Sequence, residues 1–213
     1  MVFALAVLSL LLFFDSHHYP IGTRLPMTRR SVAVNELKST YTTLKEDVDA
    51  AVAFRKAKDT QFARRTLVRT LFAFIEGLTN QLSSVAAASA PTETGIFTFE
   101  EIAALREQSY DVNEQGEVET RAPRIALKRR IRLAFRCYPR IHGASFSPDF
   151  GGQGWSRLQE AIRIRDRLTH PKRDADLSVS DSDLGSVDAA SVWYQDAIVG
   201  LLKACQEADA SFS

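Results

Sequence analysis

Thr60-Gln61-Phe62-Ala63-Arg64-Arg65-Thr66-Leu67-Val68-Arg69-Thr70-Leu71-Phe72-Ala73-Phe74-Ile75-Glu76-Gly77-Leu78-Thr79-Asn80-Gln81-Leu82 is apolar on nearly every side of a 3.6-residue period. Such a segment is predicted to be a central helix with neighbours all round it. Upstream, about Val32 to Lys58 places Leu37, Tyr41, Leu44, Val48 and Val52 at helical spacing between charges, predicting a second long helix. Downstream, Ser83 to Thr94 is small, polar and Pro-containing, and reads as a connection. Thr98 with Glu100 and Glu101 starts a short helix to Glu107, and Ser109 to Arg121 reads as a charged loop. A helix from about Arg124 to Cys137 stops before Pro139, and Pro139 to Gly154 is rich in turn residues. Trp155 to Thr169 is helical and ends against Pro171, and residues 172–185 form an acidic loop. The last helix runs from about Val187 to Ala208, with Val192, Trp193, Ile198, Leu201 and Leu202 facing inward. No segment alternates as a strand does. The pattern predicts an all-α, up-and-down bundle of about five to six helices, one domain over residues 27–213.

Composition narrows the function. The 213 residues are 45% hydrophobic and 25% charged, enough for a real core. With 27 basic against 26 acidic residues the net charge is +1, so a nucleic-acid surface must be local rather than global. Two cysteines, Cys137 and Cys205, exclude a disulfide framework and a four-thiolate zinc site, and point to a reducing, cytoplasmic compartment. Residues 1–26 stand apart. Positions 2–14 are uncharged but shorter than the ~18–20 apolar residues of a spanning helix. They lack the basic start of a signal peptide, and Asp15-Ser16-His17-His18 is a poor cleavage site. Three readings remain: translated sequence upstream of a start at Met27, a weak signal or anchor, and a core element. Stable membrane insertion is not expected.

The chemistry concentrates in Trp155-Ser156-Arg157-Leu158-Gln159-Glu160-Ala161-Ile162-Arg163-Ile164-Arg165-Asp166-Arg167-Leu168-Thr169-His170-Pro171-Lys172. On a helical wheel counted from Trp155 the apolar face centres at about 270°, and Arg165 falls at about 280°, inside it. Arg163 and Arg167 fall at about 80° and 120° among solvated positions, and Arg157 at about 200° on the border. A guanidinium in an apolar stripe must be paired or open into a cleft. Asp166 and His170 are four apart and share one edge, so the carboxylate can accept from the imidazole and fix its tautomer. His170 precedes proline, which pushes it out of helical geometry and frees its ring to point into a groove beside Arg165. The same residues also fit a purely structural end, with His170 capping carbonyls and Arg165 bridged to a core carboxylate.

Arg165-Asp166-Arg167-Leu168-Thr169-His170-Pro171 resembles the R-x4-6-H signature of HEPN domains (higher eukaryotes and prokaryotes nucleotide-binding), in which a polar residue follows the Arg and a His closes the helix. Arg64 to Gly77 resembles the long second helix of that family, and the Ser/Asp-rich loop with the Trp193 helix resembles its C-terminal part. The resemblance implies a helical bundle, commonly dimeric, with motif helices facing across a cleft. It implies a metal-independent endoribonuclease, often a toxin or antiviral defence effector silenced by an antitoxin, or a related module that only binds RNA, nucleotide or protein. No cofactor is implied. Its catalytic set would be Arg165 on the phosphate, His170 as acid or base, and Asp166 orienting His170 or pairing Arg165 in the empty site.

Secondary RNA-binding candidates are Arg69, Glu76, Arg167, Lys172, Lys128, Arg129 and Arg132. Arg65, Arg69 and Glu76 fall on one polar strip of the central helix, where Glu76 can hold Arg69 or Arg165 in a cleft or in a structural ion pair. Eight basic and no acidic residues lie between Arg121 and Arg140, a backbone track for RNA or a solvated helix face. His142 and Gly151-Gly152-Gln153-Gly154 have no ligand or phosphate-loop spacing, and the HExxH, CxxC, GxSxG and Walker patterns are absent.

Overall fold

Two long helices carry the architecture, α1 (Arg29–Ala57) and α2 (Gln61–Ser89), packed as a hairpin along most of their length. The computed structural model describes residues 29–89, 95–123 and 125–211, so the segment 1–26 and the Met27 start lie outside the described residues. The turn between α1 and α2 is built locally. Thr60 caps α2 by accepting from the Ala63 N–H at 3.2 Å, and Asp59 grips Arg64 with both oxygens at 2.7 Å. α2 buries Leu67, Val68, Leu71, Phe72, Phe74, Ile75, Leu78 and Leu82, and touches almost every other helix, as its all-round apolar pattern requires.

α2 runs seven residues past Leu82, through the stretch expected to be a connection. Val85, Ala86 and Ala87 are buried there, and the Ser83 hydroxyl bonds back to the Thr79 carbonyl at 3.1 Å, so small polar residues sit in a helix that tertiary packing imposes. The short α3 (Phe99–Leu105) begins at a reciprocal capping box between Thr98 and Glu101.

Residues 109–121 depart from the expected loop. β1 (Ser109–Val112) and β2 (Val118–Arg121) pair antiparallel, Ser109 opposite Arg121 and Val112 opposite Val118. Asn113 organises the turn by accepting from the Gln115 and Glu117 N–H groups, and Gly116 closes it at φ 79°. Seven of the eight strand residues are exposed, so neither face is buried and no alternation marks the strands in the sequence.

α4 (Leu127–Cys137) buries Leu127, Ile131, Ala134 and Phe135, and runs into a 3-10 turn, Tyr138–His142, whose second residue is Pro139. α5 (Gln153–Thr169) buries Trp155, Leu158, Ala161, Ile164 and Leu168, the stripe read from the wheel. α6 (Asp181–Ser211) begins earlier than expected. Asp181, Ser182 and Asp183 of the acidic loop form its first turn, because Ser180 and Asp183 cap it reciprocally. Val192 is exposed on α6, a correction to the inward set, whereas Ile198, Leu201 and Leu202 are buried and Trp193 is half-buried. α5 and α6 approach closely at Gly154, where a Cβ would lie 2.3 Å from Trp193, so a side chain there would push the pair apart. Across the core, the buried Tyr194 hydroxyl donates to the Ile75 carbonyl at 3.2 Å and lies 2.9 Å from the Thr79 hydroxyl, satisfying both polar groups. The result is an all-α bundle with one small hairpin.

Candidate functional site

The C-terminal turn of α5 gathers the motif residues. Arg165 lies within the apolar stripe, its side chain 20% exposed, with the guanidinium carbon 5.5 Å from the centre of the Phe72 ring. Two carboxylates compensate it there. Glu76, projecting from α2, bonds Nη2, and Asp166 bonds Nη1 at 2.8 Å. Of the two roles open to Asp166, the structure has the pair with Arg165. Of the two open to Glu76, it has the pair with Arg165 rather than Arg69. Arg165 Nε is buried without a hydrogen-bond partner.

His170 leaves helical geometry, at φ −126° and ψ 60°, as a residue before proline should. Its backbone N–H still bonds the Asp166 carbonyl at 2.9 Å, while its ring is exposed and makes no hydrogen bond among the described residues. An open depression beside it is lined by Asp166, Arg167, His170, Lys172 and Asp176. Arg165 is not in that lining. Asp166 both lines this depression and holds Arg165. Arg165 follows the apolar stripe toward Glu76 on α2, while His170 has left the helix.

Arg167 is the larger correction. The wheel puts it among solvated residues, yet its side chain is only 28% exposed. It donates to the Asp176 carbonyl at 3.0 Å and the Ser178 carbonyl at 2.6 Å, and its Nη2 pairs with Asp183 at 2.6 Å. It thus clamps residues 174–183 to the end of α5. Burial pushes the Asp183 carboxyl up, but the Ser180 N–H, the Arg167 guanidinium and the Ser180 hydroxyl outweigh it and hold it below the usual carboxylate range. Asp176 is likewise lowered, by the Lys172 and Arg173 N–H groups that it accepts.

The strip on α2 faces this same end. Arg65 donates to the Leu177 carbonyl at 3.0 Å, and Arg69 to the Leu168 carbonyl at 3.1 Å, satisfying an orphan carbonyl of the last turn of α5. Arg64, which the sequence singles out only within the stretch resembling the family's second helix, pins the Val179 carbonyl at 3.0 Å and pairs with Asp181 at 2.8 Å.

The basic run of 121–140 is broken up by acids from α3 and the hairpin. Arg121 pairs with Asp111 at 2.8 Å, Arg130 with Glu107 at 2.9 Å, and Arg140 with Glu101 at 2.8 Å, with Arg136 3.9 Å from Glu101. The Arg140 hydrogen bond holds the Glu101 carboxyl below its usual range. Arg124 lies outside the described residues. Lys128 and Arg129 are exposed and make no ion pair among the described residues. Arg132 stacks on Phe150 and Trp155, with its guanidinium 4.5 and 4.9 Å from the ring centres. At the opposite end of α4, the buried His142 bonds Asp209 through Nδ1 at 2.9 Å, a contact that no spacing in the sequence signals.

Among the described residues no group of three or more His, Cys, Asp or Glu is arranged to hold a metal, and no helix is long and apolar enough to cross a membrane. The thiols are buried, which pushes Cys137 up to about 11 and Cys205 up to about 12. No protein-family model, curated protein or solved structure matches the chain.

Proposed function

We propose that the chain is a metal-independent endoribonuclease of the HEPN type, acting in the cytoplasm as a homodimer, in the manner of toxin or antiviral effectors under the control of an antitoxin. The observation that carries the reading is the exposed His170 ring, without a hydrogen bond among the described residues, at the end of α5 beside the carboxylate that holds Arg165. A histidine spent on structure would be capping carbonyls with its ring, but the Leu168 carbonyl at the end of α5 is bonded by Arg69 instead.

The chemistry follows from these groups. One imidazole takes the proton of the ribose 2′-OH, O2′ attacks phosphorus, and the bond to O5′ breaks as an imidazolium protonates it. Arg165 stabilises the charge that builds on the phosphorane oxygens. A second protomer supplies the second histidine, so one residue type fills both roles. Lys172 at the same depression would meet a neighbouring phosphate, and the exposed Lys128 and Arg129 on α4 would bind the RNA backbone elsewhere.

An RNA pool incubated with the protein in EDTA tests this directly. The expected result is cleavage that leaves 2′,3′-cyclic phosphate ends. The alternative is a non-catalytic RNA-, nucleotide- or protein-binding module of the same fold, favoured by one observation: both terminal nitrogens of Arg165 are already taken. It predicts no cutting, and binding that survives His170→Ala.

A further inference from the structure

Arg165 is charged and close to a groove, yet both of its terminal nitrogens already carry a carboxylate. Its Nη2 is held by Glu76 and its Nη1 by Asp166, and Nε is buried. A phosphate gripped by two parallel hydrogen bonds needs two N–H groups on one edge of the guanidinium fork. Both such edges include Nη2, which Glu76 holds, so a phosphate that meets Arg165 while Glu76 stays does so through Nη1. A phosphate oxygen takes the place of Asp166 on Nη1 only when that carboxylate leaves.

The two carboxylates are not equivalent. Glu76 is 34% exposed and joins α2 to α5, so its departure would uncouple two helices over an apolar ring. Asp166 is 52% exposed, is the sequence neighbour of Arg165, and joins no other element by its side chain. An exposed pair of this kind is held weakly. Asp166 is also one helical turn from His170 and lines the same depression, so on leaving Arg165 its carboxylate has an imidazole within reach. Of the other charged groups of that depression, Arg167 is bound to Asp183 and two carbonyls and Asp176 to two backbone N–H groups, while Lys172 lines it together with His170 and adds a second cation on the side toward which Asp166 would move.

We propose that Asp166 is a built-in competitor for Arg165, which the phosphodiester of an RNA chain displaces toward His170 while Glu76 stays in place as the positioning residue. In the empty site two carboxylates shield the one positive charge of Arg165, and a phosphate oxygen gains Nη1 only by displacing Asp166. The proposal rests on Arg165 being the phosphate ligand of the function given above.

The test uses a 2′-O-methyl RNA oligonucleotide, which lacks the attacking hydroxyl and reports binding alone. Its affinity is measured for the parent protein, Asp166→Asn, Arg165→Ala, the double variant, and Asp174→Asn as a control for net charge. Asp166→Asn is expected to bind about two- to fivefold tighter, the range that releasing an exposed ion pair allows. Asp174→Asn is expected to shift affinity less, and the gain is expected to vanish in the Arg165→Ala background. No gain in Asp166→Asn, or an equal gain without Arg165, overturns the proposal. Where Arg165→Ala melts too low to use, Arg165→Met keeps an apolar stem against Phe72 and takes its place. Cleavage of ordinary RNA is read separately. A parent that never cuts refutes the ribonuclease reading, and the binding series still decides on Asp166. If it does cut, Asp166→Asn is expected to combine tighter binding with a lower kcat, since the residue left beside His170 can no longer orient an imidazolium by charge.

Discussion

α4 and the end of α5 carry basic residues at similar density but engage them differently. On α4, Arg130 pairs with Glu107, Arg136 lies 3.9 Å from Glu101, Arg132 stacks on Phe150 and Trp155, and Lys128 and Arg129 face water. On α5, Arg165 and Arg167 turn inward, one to Glu76 on α2, the other to the chain that leads into α6. The difference teaches that the number of charges in a segment says little about which are free. Partners decide it, and those that hold the α5 arginines from outside the helix lie between 9 and 89 residues away.

Breaking the inward set should have the largest effect. Arg167→Ala takes the guanidinium from the Asp183 carboxylate and from two carbonyls at once, and is expected to cost about 1–3 kcal/mol. For a domain of this size that is a fall in Tm of about 3–10 °C. Replacing Lys128 and Arg129 together is expected to leave Tm nearly unchanged, since both side chains are solvated and make no ion pair among the described residues. Thermal melts of the two variants side by side check the contrast.

Acid sharpens the same comparison. Asp183 and Glu101 both titrate below their ordinary range in the folded chain. Their stabilisation is therefore fully present above about pH 4, where the unfolded groups titrate, and is lost as pH falls through the depressed folded values. Urea midpoints measured from pH 6 down to pH 3 are expected to fall in that window. Arg167→Ala should reduce the Asp183 share of the fall, the Ser180 hydrogen bonds keeping the rest, and leave the Glu101 share intact.

A smaller effect is expected on RNA affinity. Neutralising Lys128 and Arg129 should weaken binding uniformly across sequences and reduce the magnitude of the salt slope by roughly one for each phosphate no longer neutralised. Arg130→Ala, which removes a largely buried guanidinium and the partner of Glu107, should lower stability by about 1 kcal/mol and move the salt slope hardly at all. Titrations at three salt concentrations separate the two.

The helices were legible because burial writes a period into the sequence: Leu158, Ala161, Ile164 and Leu168 are spaced as one face, and they are that face. Arg165 was legible for the same reason, as the one charge inside the stripe. The hairpin was not, because Tyr110, Val112 and Val118 are exposed and leave no buried alternation to read. The extension of α2 through Ser83 was hidden by small polar residues that propensity assigns to a connection and packing assigns to a helix. Arg167 was misplaced because a wheel knows only its own helix, and its partners are backbone carbonyls and Asp183 beyond it. The proposed chemistry of the site has no such physical signature and rests on the resemblance of one short motif.

The central claim is that the end of α5 separates chemistry from structure, with His170 free to react and Arg167 fixed in place. Cleavage of an RNA pool in EDTA by the parent and by His170→Ala, each with its melting temperature, tests this most directly. The account predicts a loss of about a hundredfold or more in cleavage at an unchanged Tm. Cleavage retained by His170→Ala would contradict it, as would a variant that loses activity only because it has unfolded.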